Sequence, residues 1–253
     1  MQLQVLPKAP WALGMKRGLV VLCCCACGSS GASGGGTVGT SPSSTAYDPK
    51  IDAANFVSRI DNPLYPLKPG TVLEYTVNKE GATEKVVITV MRETKKILGV
   101  TTTVVHDVVS EGGKVTEDTW DWYAQDRDGN VWYFGEATTK TEGGQTSTEG
   151  SWEAGVNGAK AGVIMEAHPK VGDNYRQEFA PGVAEDRAEI LSLSESVTVR
   201  KGSFTGCLKT KDYSPLKPDL VENKVFCPGI GQVLTVHVKG PTEREELVAV
   251  TSA

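Results

Sequence analysis

Carboxylates set beside aromatic rings are the side chains of this sequence best suited to chemistry. Asp121 alternates with Tyr123 and Tyr133, Glu136 falls near Trp120, and Glu149 and Glu153 flank Trp152. Two carboxyl groups, one acting as acid and one as base or nucleophile, are what glycoside hydrolysis needs. The same alternation of polar and aromatic residues also builds any half-buried strand. Catalytic spacing is otherwise missing, so non-catalytic binding or scaffolding of an apolar or glycan ligand, or of a protein partner, is the favoured reading. Hydrolysis of an envelope glycan by acids beside aromatics is the alternative.

Other chemistries find little support. A serine-hydrolase elbow, Gly-x-Ser-x-Gly, does not occur, and Gly150-Ser151-Trp152-Glu153 resembles it only superficially. His106, His168 and His237 are scattered, and no His or Cys pair after residue 48 has zinc-ligand spacing. His106 and Asp107 are adjacent on a strand and so point to opposite faces. Asp126, Asp128 and Asn130 look like the start of a calcium loop, but an EF-hand needs Gly sixth and Glu twelfth. Here Gly129 stands fourth and Ala137 twelfth. No metal and no cofactor are therefore expected. A net charge of −5, with both signs interspersed, argues against nucleic acid as a partner.

The stretch 118–136 positions the acids. Asp126-Arg127-Asp128-Gly129 fits a type I turn closed by a left-handed glycine, a common hairpin connection. It predicts that Gln125 faces Val131, Ala124 faces Trp132, Tyr123 faces Tyr133 and Trp122 faces Phe134. Side chains alternate along a strand. Trp120, Trp122, Trp132 and Phe134 then share one face, and Asp121, Tyr123, Gln125, Val131 and Tyr133 share the other. The tryptophan face is read as core, or else as the wall of a ligand cleft. On the second reading Trp120, Trp122, Trp132, Phe134 and Trp152 are the candidate ligand-binding residues.

Around this hairpin the chain reads as an all-β domain, 48–253, an antiparallel meander forming a barrel, sandwich or strongly curved sheet. A short helix is expected near 48–60, with Phe56 and Ile60 turned inward and an end before Pro63. Strands are expected at 71–78, 84–92, 98–110, 114–125, 175–179, 188–199, 203–212, 221–226, 232–239 and 246–251. A polar hairpin is expected at 138–148. Turn signals at short spacing and the lack of a long helical period support this class. Cys207 and Cys227 lie on successive strands and are either a disulfide or two buried thiols.

The first 27 residues have the layout of a secretory signal. Lys16 and Arg17 precede a short apolar run, 18–26, too short to span a bilayer. Met1 or Met15 is the start. Ala26-Cys27-Gly28 resembles a bacterial lipobox, in which the cysteine after a small residue is acylated, here with palmitate-type chains. Cys27 is the matching lipid-attachment residue, although Cys24 stands where such motifs usually have Leu. A non-acylated secretory signal is the alternative. The resemblance implies a membrane partner reached through the N-terminal lipid, and Gly28 in place of Asp implies the outer membrane. Residues 28–47, mostly Gly, Ser and Thr, read as a flexible tether.

Several motifs together resemble those of a bacterial secreted or lipoprotein family. They are Ile60-Asp61-Asn62-Pro63 with Pro66-Leu67-Lys68-Pro69-Gly70-Thr71, the run from Thr94 to Val100, the run from Asp121 to Glu136, the run from Gly150 to Val156, and Pro228-Gly229-Ile230-Gly231. The resemblance covers most of the chain from Asp48 onward. It implies a shared β fold and a cell-envelope location. It supplies no activity, so no catalytic residue is carried over.

Overall fold

The computed structural model describes residues 47–252. The signal segment 1–27 with Cys27, and the tether up to residue 46, lie outside the described residues. Tyr47, where tether and domain were expected to meet, donates its hydroxyl to the Ala161 carbonyl at 2.8 Å and packs edge-on against Phe179.

Among the described residues, one 3₁₀ turn, Ala53–Asn55, is followed by sixteen strands. They are β1 (Phe56–Val57), β2 (Thr71–Lys79), β3 (Ala82–Ile97), β4 (Val100–Glu111), β5 (Lys114–Asp126), β6 (Val131–Glu142), β7 (Gln145–Ser147), β8 (Trp152–Glu153), β9 (Lys160–Met165), β10 (Asn174–Arg176), β11 (Glu178–Phe179), β12 (Arg187–Val199), β13 (Gly202–Ser214), β14 (Lys217–Cys227), β15 (Gly231–Lys239) and β16 (Glu243–Ser252). All strand pairings are antiparallel and belong to one sheet, ordered β10-β12-β13-β14-β15-β16-β2-β3-β4-β5-β6-β9-β11, with β1 paired to β5 and β7 and β8 paired to β6 off this path. This is the all-β meander expected from the turn spacing.

The sheet curls until its two edges meet. β10 forms one edge, against β12, and β11 the other, against β9. Only Gln177 separates β10 from β11, so a single extended stretch, 174–179, sews the two edges together. Gly162 makes this seam possible. A Cβ there would lie 2.2 Å from the Gln177 carbonyl oxygen, so only glycine lets the two backbones come this close. The result is a nearly closed barrel, which leaves few strand edges unpaired.

Two apolar clusters hold the barrel. One gathers Val105, Trp122, Tyr123, Phe134, Met165 and Phe226 with their neighbours. The other gathers Leu73, Val77, Val86, Val233 and Leu247 around Cys207 and Cys227. Those two cysteines face each other across β13 and β14 and are bonded, with Cα atoms 4.3 Å apart.

Three local expectations are corrected. The short helix is only the 3₁₀ turn, capped by the Asp52 side chain accepting from the Ala54 amide. Phe56 then pairs with Asp126, and Arg127 donates its amide to the Asn55 carbonyl, so ladder pairing with β5 replaces further helical bonds. Leu98 is not in a strand but takes a positive φ of 51° in the β3–β4 turn with Gly99, and β3 reaches through Ile97. β9, which falls outside the strands expected from sequence, pairs with β6 and β11.

Candidate functional site

The hairpin β5–β6 is built as its turn demands. Gly129 has a φ of +97° and donates to the Asp126 carbonyl at 3.1 Å. The Asp126 carboxylate accepts from the Asn130 amide, the Asn130 side chain and Trp132 Nε1, all at 2.8–2.9 Å. Asp126 thus closes a turn rather than offering a free ligand. Among the described residues, no group of three or more His, Cys, Asp or Glu could hold a metal ion.

The predicted register holds for Gln125 with Val131, Ala124 with Trp132 and Tyr123 with Tyr133, and then breaks. Trp122 pairs with Gly135 rather than Phe134, and Asp121 pairs with Glu136. A bulge at Phe134-Gly135 is the cause. Gly135 has a φ of +128°, and a Cβ there would lie 2.2 Å from the Trp152 carbonyl oxygen. The extra residue turns Glu136 to the Tyr133 side, away from its expected place near Trp120. A glycine inside a strand pattern was the available signal for this bulge.

The consequence is a carboxyl pair bridged by a phenol. Tyr133 Oη lies 2.6 Å from Asp121 Oδ1 and 3.1 Å from Glu136 Oε2. A hydroxyl carries one hydrogen. Both contacts are hydrogen bonds only if one carboxyl is itself protonated and donates back. Burial makes this possible, pushing Asp121 up to about 7 against the opposing effect of the Tyr133 bond.

These residues line a cavity of about 170 Å³ inside the curl of the sheet. Alternate positions of successive strands face it: Val105, Asp107 and Val109 on β4, Glu117, Thr119, Asp121 and Tyr123 on β5, and Glu222, Lys224 and Phe226 on β14. Glu243 and Glu245 on β16 and Leu73 and Tyr75 on β2 complete that side. The seam adds Gln177 and Glu178, with Asp186 beyond it. Tyr123 stacks on Tyr133 with centroids 4.7 Å apart.

A strap closes part of the wall, and here the sequence motifs converge. Tyr65, Pro66 and Leu67 line the cavity. Asn62 donates its side-chain amide to the carbonyls of Gly129 and Glu166, and Gln125 accepts from the amides of Asp61 and Asn62. Gly229 donates its amide to the Pro63 carbonyl at 2.7 Å. The 60–63 and 66–71 motifs, the hairpin turn and the 228–231 motif therefore form one assembly at the cavity.

Charge inside is unbalanced toward acid. Lys224 pairs with Asp212 at 3.2 Å and Glu222 at 3.5 Å. Burial alone would lower Lys224, but Asp212, Glu222 and Asp186 outweigh it and hold the ammonium well above its usual range. Burial likewise works on Glu222 in the upward direction, yet Lys224 and His237 bring it below the carboxylate norm. His237 Nε2 lies 3.2 Å from Glu222 and 3.8 Å from Glu243. Elsewhere burial wins. It raises Glu178 strongly, with help from Asp186, Glu136 and Asp121, and raises Asp186 to about 6. Tyr65 is pushed up to about 12 by burial.

None of the five aromatic candidates lines this cavity. Phe134 is fully buried against Phe56, with centroids 5.6 Å apart. Trp132 also packs on Phe56, and Trp122 lies under the Lys95 ammonium at 3.3 Å. Trp120, 37% exposed, stacks on His106 at 4.0 Å. Trp152 is buried edge-on to Tyr133 at 5.4 Å. Of the acids, Asp121 and Glu136 meet, while Glu153 pairs with Lys95 at 2.7 Å and Glu149 is exposed. His106 and Asp107 do point to opposite faces, Asp107 toward the cavity. Sequence reasoning missed Glu178, Asp186, Glu222 and Lys224, which the seam and β14 bring in.

No protein-family model matches the chain, and no curated protein matches it. Among solved structures, a Bacteroides fragilis protein described as exported and having a YmcC-like fold is similar at 13% identity and a TM-score of 0.44, over 74% of this chain and 98% of that one. A Parabacteroides distasonis protein described as a lipoprotein is similar at 12% identity and a TM-score of 0.42, over 75% of this chain and 99% of that one.

Proposed function

We propose that this chain is a lipid-anchored protein of the bacterial cell envelope, held at the outer membrane through Cys27, whose barrel interior binds a small polar ligand without transforming it. The lipobox-like Ala26-Cys27-Gly28 supports the anchor, and a cross-strand disulfide suits an oxidising compartment. The acid- and tyrosine-lined cavity carries the binding reading. At about 170 Å³ it is near the ~150 Å³ of an engineered cavity that takes up benzene. It has room for a compound of a few heavy atoms and none for a polysaccharide chain. The carboxyl and phenol groups set in its lining favour a ligand that carries polar groups over a wholly apolar one.

Two measurements test this. Radioactive fatty acid should label the wild-type chain and not Cys27→Ala, which should also leave the membrane fraction. Native mass spectrometry of the full-length protein purified from its envelope should show a bound small molecule. A protein that arrives empty, and whose melting temperature no polar compound shifts, would overturn ligand binding.

One observation favours a second reading, acid-pair hydrolysis. Through Tyr133, the Asp121 and Glu136 oxygens lie within about 6 Å, close to the ~5–5.5 Å carboxyl spacing of retaining glycosidases. Against it, the Tyr133 hydroxyl sits between the two carboxyls, where a glycosidic centre would have to go. Release of reducing ends from envelope oligosaccharides, lost in both Asp121→Asn and Glu136→Gln, would establish hydrolysis instead.

A further inference from the structure

We infer that the ligand of this cavity is a small primary ammonium compound, which pairs with the buried Glu178 carboxyl. The inference rests on the cavity being a binding site and names the chemical class that it takes. Nine carboxyl side chains line the space, and Lys224 is the lysine among them. Lys224 is already committed to Asp212 and Glu222. Lys140 serves Glu117 at 3.0 Å.

Glu178 marks where the ammonium group belongs. It is 5% exposed, it lines the cavity, and its Oε2 is buried without a hydrogen-bond partner. Leaving a buried carboxyl oxygen unpaired is costly. Natural folds rarely leave such a group without a use. Asp121 on β5, Glu136 on β6, Asp186 beyond β11 and Lys224 on β14 all act electrostatically on Glu178. Three of these four are acids, so the field at Glu178 favours a cation.

An ammonium group offers three N–H donors and no acceptor. That matches a wall of carboxyl oxygens better than a neutral sugar would. The stacked Tyr123 and Tyr133 rings add faces that attract cations. Without the ligand, burial keeps protons on this group, as the upward shifts of Asp121, Asp186 and Glu178 indicate. An incoming ammonium replaces those protons, so binding releases them to solvent.

The test is titration calorimetry on the full-length protein in detergent at pH 6.5. The probes are 1,4-diaminobutane and ethanolamine, with butane-1,4-diol as the uncharged isostere and potassium chloride as a salt control. The amines should bind at least tenfold more tightly than the diol. Their enthalpy should change between buffers of different ionisation heat, reporting proton release. Glu178→Gln should weaken amine binding at least tenfold while its circular dichroism stays native. Asp186→Asn should do the same more mildly, and serves if Glu178→Gln does not fold. Equal binding of diol and amines would overturn the cation and leave a polar-ligand cavity standing. No binding of any probe would overturn both.

Discussion

The two faces of the β5–β6 hairpin are built from neighbouring residues and behave as different materials. On one face Trp122, Trp132 and Phe134 pack on Phe56 and under Lys95, and Trp120 stacks on His106. That face is held by area and by ring contacts, which do not depend on the acid cluster's protonation. On the other face Asp121, Tyr123, Tyr133 and Glu136 are all buried, but their contacts depend on where one proton sits. Burial of aromatic surface stabilises both faces. Only the inner one carries buried groups whose charge costs free energy.

The contrast can be broken or sharpened by substitution. Phe134→Ala should cost the most, about 3–5 kcal/mol for a fully buried ring. By urea unfolding the loss should be the same at pH 5 and pH 8, and a strong pH dependence would blur the two faces. Gly135→Ala comes next, at roughly 2–3 kcal/mol, because its φ of +128° and a Cβ 2.2 Å from the Trp152 carbonyl leave no room for a side chain. It should also undo the bulge, turn Glu136 outward and abolish any shared proton with Asp121, seen as a weakening of the carboxylic-acid infrared band near neutral pH, where Glu178 still contributes.

Asp121→Asn tests the inner face alone. The fold raises Asp121 to about 7 and Asp186 to about 6, so between pH 4 and those values the folded state binds protons that the unfolded chain has released. Their contribution to stability is present in full below about pH 4 and is lost as pH rises through 6–7. Stability should therefore decline from pH 5 to pH 8 in the wild type. Asp121→Asn should flatten that decline by on the order of 2 kcal/mol. An unchanged slope would remove Asp121 from the account. Trp120→Ala should cost the least, under ~1 kcal/mol, since the ring is 37% exposed and loses mainly one stack with His106.

Much of the strand pattern was legible because turn chemistry is local. The Asp126–Gly129 turn, the Gly143-Gly144 hairpin and the β12–β16 meander all follow from residues within a few positions of one another. The register of the central hairpin was legible up to Tyr133 for the same reason. Beyond it, Gly135 inserts a residue, and the pattern of residue types does not say on which strand a bulge falls. Alternation divided Asp121, Tyr123 and Tyr133 correctly from the tryptophans. It did not reveal that the acidic face is also enclosed, because polar residues are read as facing water unless a sheet closes over them.

By itself the sequence determined the local pieces of this protein: an all-β chain, its turns, two faces on each strand and two cysteines on successive strands. Tertiary structure alone decided which face became interior. That depended on contacts between residues far apart in the chain, above all Gly162 against the Gln177 backbone, which closes the sheet. Closure removes water from Asp121, Glu136 and Glu178 together. A carboxyl group's charge and partners follow from its surroundings, so the candidate site came into being only when the seam was made.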